Sequence, residues 1–270
     1  MKFSIAHTTR RPAQALDIRK LWLAAADDPS EVEWVFGIDS DDPESLRILG
    51  AENHVVCPAG GGSTPAVNAA AAQTNGDVII VCADDVWPCP HWDTVLAQRI
   101  EDPKAPRVVL TGDGVRTDRL CTLPIITRGW IDRYFGCVFP SQFRTVGPDI
   151  WLSERAHRDE MLIDASDLVF EHRHAFYNKA PMDEVYIAAN RKEDYDAAEI
   201  LLKQLLSPCG ISLCMIVGNE EWIIAEFLER AARAFDELCI VQATGETKPD
   251  NTIEIAFQFC RRADKRFRKA

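Results

Sequence analysis

Short, largely apolar runs recur along the first hundred residues, at 3–6, 33–38, 54–57 and 78–82, the last of them continuous and bounded by turn formers. Runs of this length, rich in Val and Ile, predict strands buried on both faces. Between them, residues 13–26 carry helical spacing through Leu16, Leu21 and Leu23. Pro43 fits the start of a short helix over 44–49, and the small-residue stretch 66–74 predicts another. Strand and helix alternate, which requires a mostly parallel sheet flanked by helices, an α/β fold.

Downstream, the pattern predicts a helix over 92–99, a strand over 107–110 and a strand over 120–127. Pro124 places that last strand at an edge or makes it irregular. A helix is expected over 129–135 and another opening at Pro148, followed by a small strand at 168–170 and a helix over 195–206. A second run begins afresh: strand 211–217, helix 222–235, strand 238–241 and a final helix over 253–269. This βαβα extension echoes the opening of the chain. It predicts two domains, 1–206 and 207–270, with a boundary near Ser207-Pro-Cys-Gly210.

Polar residues cluster where the candidate strands end: His7 to Arg11, Asp39 to Asp42, and the pair Asp84 and Asp85 before Pro88 and Pro90. In an open α/β sheet that edge is where ligands bind. Adjacent carboxylates repel unless a cation or a proton shares the site, and hard oxygen ligands suit Mg²⁺ or Mn²⁺. A solvated acidic turn is the plainer alternative. The loop Pro58-Ala-Gly-Gly-Gly-Ser-Thr-Pro65 precedes a helix start, a position suited to an anion. It has neither the Lys-Ser/Thr of a P-loop nor dinucleotide spacing.

The 47% of apolar residues supports a substantial core, and no 18-residue apolar run exists, so no membrane span is expected. The first residues lack the apolar centre of a signal peptide. Nine cysteines are scattered without a paired framework, several in apolar runs (Cys82, Cys214, Cys239), which predicts a reduced, cytoplasmic protein. Cys89 and His91 have no second pair at zinc-like spacing. Net charge is −12, yet the last ten residues hold six basic groups and one acid. The acidic body repels polyanions; the tail alone could attract one.

Four segments carry a resemblance: Ser4-Ile-Ala-His-Thr-Thr-Arg10, Phe36-Gly-Ile-Asp39, Asn68 through Asp77, and Ala83-Asp-Asp-Val-Trp-Pro-Cys-Pro-His-Trp-Asp93. In order and spacing, over about residues 3–178, they resemble the family-2 glycosyltransferases of the GT-A fold. The resemblance implies transfer of a sugar from a nucleoside-diphosphate sugar, a UDP-sugar foremost, to an acceptor hydroxyl. It assigns Thr8, Arg10 and Asp39 to the base and ribose, and counts Asn68 and Asp84 with the nucleotide site. The family's Asp-x-Asp motif reads Ala83-Asp84-Asp85 here, so its first acid is missing while Asp85, the expected ligand of Mn²⁺ or Mg²⁺, is present. Asp149, at a helix start, matches the family's general base, which implies inversion. A late histidine completes such metal sites. His172 and His174 are both candidates, and the extended segment is expected to point them in different directions.

The second copy carries Gln242 where a nucleoside-binding acid is expected, and it ends before the metal strand. That implies a non-catalytic packing module, with a homodimer through it as one expectation. The acceptor stays open between a glycan, a small molecule and a nucleic-acid base, read by a loop region over 111–145. Its aromatics (Trp130, Tyr134, Phe135, Phe139, Phe143) fit core packing better than ligand stacking. Two competing classes are a nucleotidyltransferase, which needs glycines and a Lys that Thr8-Thr-Arg-Arg11 lacks, and a non-catalytic nucleotide-sugar-binding protein.

Overall fold

The computed structural model describes residues 1–134, 136–206, 212–263 and 265–269, side chains 233, 261 and 266–269 excepted. The expected boundary at 207–210, Phe135 and most of the basic tail's side chains lie outside the described residues. The chain forms two units, Met1–Leu206 and Ser207–Ala270.

In the first unit, β1 (Phe3–Thr8), α1 (Pro12–Ala25), β2 (Val32–Asp39), α2 (Pro43–Leu49), β3 (His54–Cys57), α3 (Ser63–Ala72) and β4 (Val78–Cys82) follow in the expected alternation. Next come β5 (Val86–Trp87), α4 (Trp92–Arg99), β6 (Val108–Gly112), β7 (Ile125–Thr127), α5 (Arg128–Arg133), α6 (Pro148–Arg158) and β8 (Leu162–Val169). The unit closes with β9 (Glu171–His172), α7 (Glu184–Ala189) and α8 (Lys192–Leu205).

Seven strands form one sheet in the order β3-β2-β1-β4-β7-β6-β8, parallel except for β7, which runs antiparallel to β4 and β6. The expectation for 120–127 is corrected here. The strand is interior, because Pro124 stands just outside it and loses no ladder bond; its carbonyl accepts the Val81 N–H at 2.9 Å.

Side chains alternate across the sheet with period two. Phe3, Ile5, Val78 and Ile80 face one core with Ile18, Trp22 and Leu96; Ala6 and Ile79 face the other with Val67, Trp130 and Leu152. The aromatics of the 111–145 region are core residues as expected: Trp130, Phe139 and Phe143 are buried. Cys57, Cys82, Cys121 and Cys260 are buried thiols, whereas Cys214 is exposed, contrary to its place in an apolar run.

Local chemistry sets the helix starts. Asp42 caps α2 by accepting the Ser45 N–H at 3.0 Å, and Pro43 takes the first helical position. Gly62 precedes α3 with φ 81°, and a Cβ there would lie 2.5 Å from the Arg144 carbonyl. The small residues of α3 let it sit close on the sheet: a Cβ on Gly37 would lie 2.7 Å from the Ala66 carbonyl oxygen.

Trp22 is the centre of the first core. It stacks on Phe170 and meets Trp92 edge-on, each at 5.2 Å, and its indole N–H donates to the Val86 carbonyl at 3.0 Å. That bond ties α1 to the strand beside Asp85. Trp22→Ala is expected to lower stability by about 3–5 kcal/mol, read by urea unfolding; a loss under about 1 kcal/mol would contradict this placement.

The second unit holds β10 (Ser212–Val217), α9 (Ile224–Ala231), β11 (Glu237–Gln242), α10 (Thr252–Arg262) and β12 (Arg266–Lys269). Its three strands are parallel, in the order β10-β11-β12, over a core that includes Leu228, Leu238, Ile240 and Phe259. The final helix therefore stops at Arg262 instead of reaching 269, and the extension is βαβαβ, not βαβα. Pairing of residues 266–269 with β11 outweighs their helix-compatible composition, a tertiary override of local preference.

Candidate functional site

The carboxyl ends of β1, β2 and β4 open onto one cleft of about 1160 Å³, lined by Thr8, Arg10, Asp39, Asp85, Asp149 and His172 among others. The topology causes this: three neighbouring parallel strands end at one edge, and the loops after them converge there. Of the nine expected site residues, Asn68 is the one outside the lining. Its side-chain oxygen accepts the Val138 and Phe139 N–H groups at 3.1 Å each, and its amide donates to the Phe139 carbonyl at 2.9 Å. Asn68 is thus a clamp on a loop, which corrects its assignment to the nucleotide.

At one end of the cleft Asp39 closes β2. Its Oδ2 accepts from Arg10 Nε and Nη2 at 3.1 and 2.7 Å, and Arg10 also donates to Asp41 at 2.6 Å. Oδ1 of Asp39 is buried with no partner. A buried, unsatisfied acceptor is costly unless a ligand donor meets it.

Asp84 and Asp85 have separate tasks. Asp84 is buried; its Oδ1 lies 2.8 Å from His7 Nε2, and its Oδ2 accepts from Thr9 Oγ1 at 2.9 Å. Arg11 lies 3.7 Å from the same Oδ2, and Gln14 donates to the Asp84 carbonyl at 2.9 Å. Both carboxylate oxygens have partners within the protein, so Asp84 anchors the turn. His7, expected in a polar loop, is the fully buried next-to-last residue of β1, packed against Trp34 and Phe36.

Asp85 faces the cleft. The short ladder β5–β9 pairs Val86 with His172, and the Arg173 N–H donates to the Asp85 carbonyl at 2.7 Å. That ladder brings His172 Nε2 to 3.4 Å from Asp85 Oδ2. His174 joins them: one ligand atom from each of Asp85, His172 and His174 lies within 4.8 Å of the others. The expectation that the two histidines diverge is therefore wrong. Residues two apart on an extended segment share a face, and these rings stand 5.2 Å apart.

Burial alone would push the Asp85 carboxyl up, but the hydrogen bond and charge of His172, the Tyr186 hydroxyl and His174 outweigh it and hold it below the usual carboxylate value. Burial lowers the pKa of His174, so its imidazole is neutral near pH 7, the form that binds metal. His172 Nδ1 is buried without a partner, while His174 Nδ1 accepts the Phe176 N–H at 3.2 Å. One carboxylate and two imidazoles within reach of one point fit a divalent ion. Mg²⁺ prefers oxygen ligands, so the two nitrogens favour a transition ion over it.

Asp149 stands in the first turn of α6, behind Gly147 (φ 90°) and Pro148, and its Oδ1 accepts the Ile150 N–H at 2.9 Å. Burial raises its pKa, only partly offset by that N–H and by the charges of Arg116 and His172. The glycine loop does not offer its helix start to an anion. The Ser63 and Thr64 N–H groups are taken by Thr145 Oγ1 and the Arg144 carbonyl, at 3.3 and 2.9 Å. Cys89 and His91 form no metal pair; His91 Nδ1 bonds Asp27 at 2.5 Å.

Tyr186 and Asp183 were not foreseen, and Arg11 was named only within the polar run His7 to Arg11. Asp183 is a helix-capping residue, visible as an acid before the 184–189 segment, but nothing local links Tyr186 to Asp85, about a hundred residues earlier.

A mostly parallel seven-stranded sheet with helices on both faces is the GT-A fold. Among solved structures, the chain is similar to Staphylococcus aureus TarS 1–349 in complex with UDP-GlcNAc: TM-score 0.58, 16% identity, 98% of this chain and 83% of that one. It is also similar to glucosyl-3-phosphoglycerate synthase from Mycobacterium tuberculosis in complex with Mn²⁺, UDP-glucose and glycerol 3-phosphate: TM-score 0.52, 16% identity, 78% of this chain and 83% of that one. The chain spans 44% of a longer S. aureus TarS chain. No protein-family model matches the sequence, and neither does any curated protein sequence. No described helix is long and apolar enough to cross a membrane.

Proposed function

We propose that the chain transfers a sugar from a nucleoside-diphosphate sugar to an acceptor hydroxyl. One observation carries this reading: Asp39, whose Oδ1 has no partner, and the Asp85-His172-His174 cluster line the same cleft. A nucleoside at one and a diphosphate at the other would span it. A UDP-sugar is the preferred donor, in keeping with the UDP-GlcNAc and UDP-glucose held by the two structural neighbours.

Asp39 accepts a donor group of the nucleoside, with Thr8 and Arg10 beside it. Asp85, His172 and His174 hold Mn²⁺ or, less suitably, Mg²⁺. A bound divalent ion supplies charge neutralisation for the departing diphosphate. Asp149 takes the proton of the attacking hydroxyl. Its raised pKa makes it a stronger base than an ordinary carboxylate, and attack in line from its side inverts the anomeric centre. The second unit is a partial, non-catalytic copy: Gln242 donates to Asn219 and Asp250, at 3.1 and 2.7 Å, where a nucleoside-binding acid would stand.

The test is release of free nucleoside diphosphate from a panel of UDP- and GDP-sugars, with and without Mn²⁺. Mn²⁺-stimulated release is expected; binding without release would make the protein a carrier, and pyrophosphate release from a nucleoside triphosphate would make it a nucleotidyltransferase. Asp39→Ala is expected to weaken UDP by about 1.5–3 kcal/mol, roughly 10- to 150-fold in Kd by calorimetry. Unchanged affinity would remove Asp39 from the nucleoside site.

A further inference from the structure

Asp85 is gripped from a second side. The Tyr186 hydroxyl, on α7, donates to Asp85 Oδ2 at 2.7 Å, and the Tyr186 ring meets His174 edge-on with centroids 4.7 Å apart. One side chain thus touches two of the three residues assigned to the ion. Tyr186 is itself fixed. The Arg11 guanidinium lies 4.3 Å over its ring, and Arg11 Nε and Nη2 donate to the two oxygens of Asp183 at 2.8 and 2.6 Å. Asp183 Oδ1 also accepts the Tyr186 N–H at 2.9 Å, which caps α7. Arg11, Asp183 and Tyr186 form a closed set that ties the loop after β1 to α7 and to the metal acid.

We propose that Tyr186 is a positioning residue of the cation site, holding the Asp85 carboxylate toward His172 and His174, with Arg11 and Asp183 as its clamp. The inference rests on reading that cluster as a cation site. Its chemistry is specific. A carboxylate offers about four lone-pair sites, so Oδ2 can accept from Tyr186 while the carboxylate still binds an ion. A phenol orients the acid without neutralising it, whereas a guanidinium in the same place would compete with the cation. Arg11 is the cation nearby, and Asp183 and Asp84 take its charge instead. Burial and the Asp85 charge keep the phenol protonated, hence a donor. Partners of this kind orient metal ligands, and their removal typically costs about 10- to 100-fold in metal affinity.

The experiment titrates the full chain with Mn²⁺ and follows the free-ion signal by electron paramagnetic resonance, for wild type, Tyr186→Phe and Asp183→Asn. The expected result is a Kd for Mn²⁺ raised about 10- to 100-fold by Tyr186→Phe. Asp183→Asn should shift it in the same direction by less. Metal-free UDP affinity should be unchanged in Tyr186→Phe, while the metal-free melting temperature falls a little with the lost bond to Asp85. An unchanged Mn²⁺ Kd in Tyr186→Phe overturns the proposal. So does a loss accompanied by equal weakening of metal-free UDP binding, which makes the contact merely structural. Absence of Mn²⁺ binding by wild type would instead overturn the cation site itself, and with it the reading on which Tyr186 depends.

Discussion

Asp85→Ala is expected to abolish Mn²⁺-stimulated transfer, a fall of roughly 10³-fold or more for the several kcal/mol that a metal supplies to a departing charge. Stability should fall too. The carboxylate is buried, yet His172, Tyr186 and His174 hold its pKa below the ordinary value. A lowered folded-state pKa means the ionised group stabilises the fold at neutral pH. That contribution fades only as pH falls from the unfolded carboxylate value through the folded one. Alanine leaves the Tyr186 hydroxyl and His172 Nε2 without their partner, at about 1–3 kcal/mol for each buried group. Asp85→Asn keeps an oxygen for Tyr186 and separates the two effects: a smaller loss of stability than with alanine, and transfer still lost. Retained Mn²⁺-dependent turnover in the Asn variant, checked by nucleoside diphosphate release, would remove Asp85 from the chemistry.

Asp149→Asn is expected to cost about 10²- to 10⁴-fold in transfer, the usual range for a general base, while making the protein more stable at pH 7. The sign follows from burial, which raises the Asp149 pKa. A group whose folded pKa lies above its unfolded one favours the fold below the unfolded value, and that contribution is lost as pH rises through the folded value. The ionised Asp149 therefore burdens the native state at neutral pH, and Asn relieves it. Urea unfolding at pH 7 and at about pH 3.5, below the ordinary carboxylate pKa, should show the advantage of Asn at the higher pH only. An Asn variant that transfers sugar normally places the base elsewhere; one that is less stable at pH 7 contradicts the electrostatic account. Strain of this kind at functional sites is a common exchange of stability for activity.

Much of the fold was legible because its signals are local. The run 78–82 reads as a doubly buried strand, and Pro43 behind Asp42 reads as a helix start, with no knowledge of neighbours. The places of Asp39 and Asp85 at the strand ends were legible for the same reason, since one closes and the other follows such a strand. What failed depended on pairing between distant segments. The antiparallel β7 enters the middle of the sheet because its proline stops one residue short, and β12 replaces a helix because β11 is there to pair with. Asp84 was counted with the nucleotide site, whereas the fold sets His7 and Thr9 on its carboxylate and Gln14 on its carbonyl. Asn68 stood in the right motif but serves the loop at Val138 and Phe139. The histidines were misjudged through geometry, because positions two apart on a strand share a face. Tyr186 could not be found at all without the fold.

The most direct measurement is a crystal structure of the protein with UDP and Mn²⁺. The account predicts the ion coordinated by Asp85 and by at least one of His172 and His174, touching the diphosphate, with the uridine against Asp39 Oδ1. A diphosphate bound away from Asp85, or an ion held at other residues while this cluster stays closed by Tyr186, would contradict it.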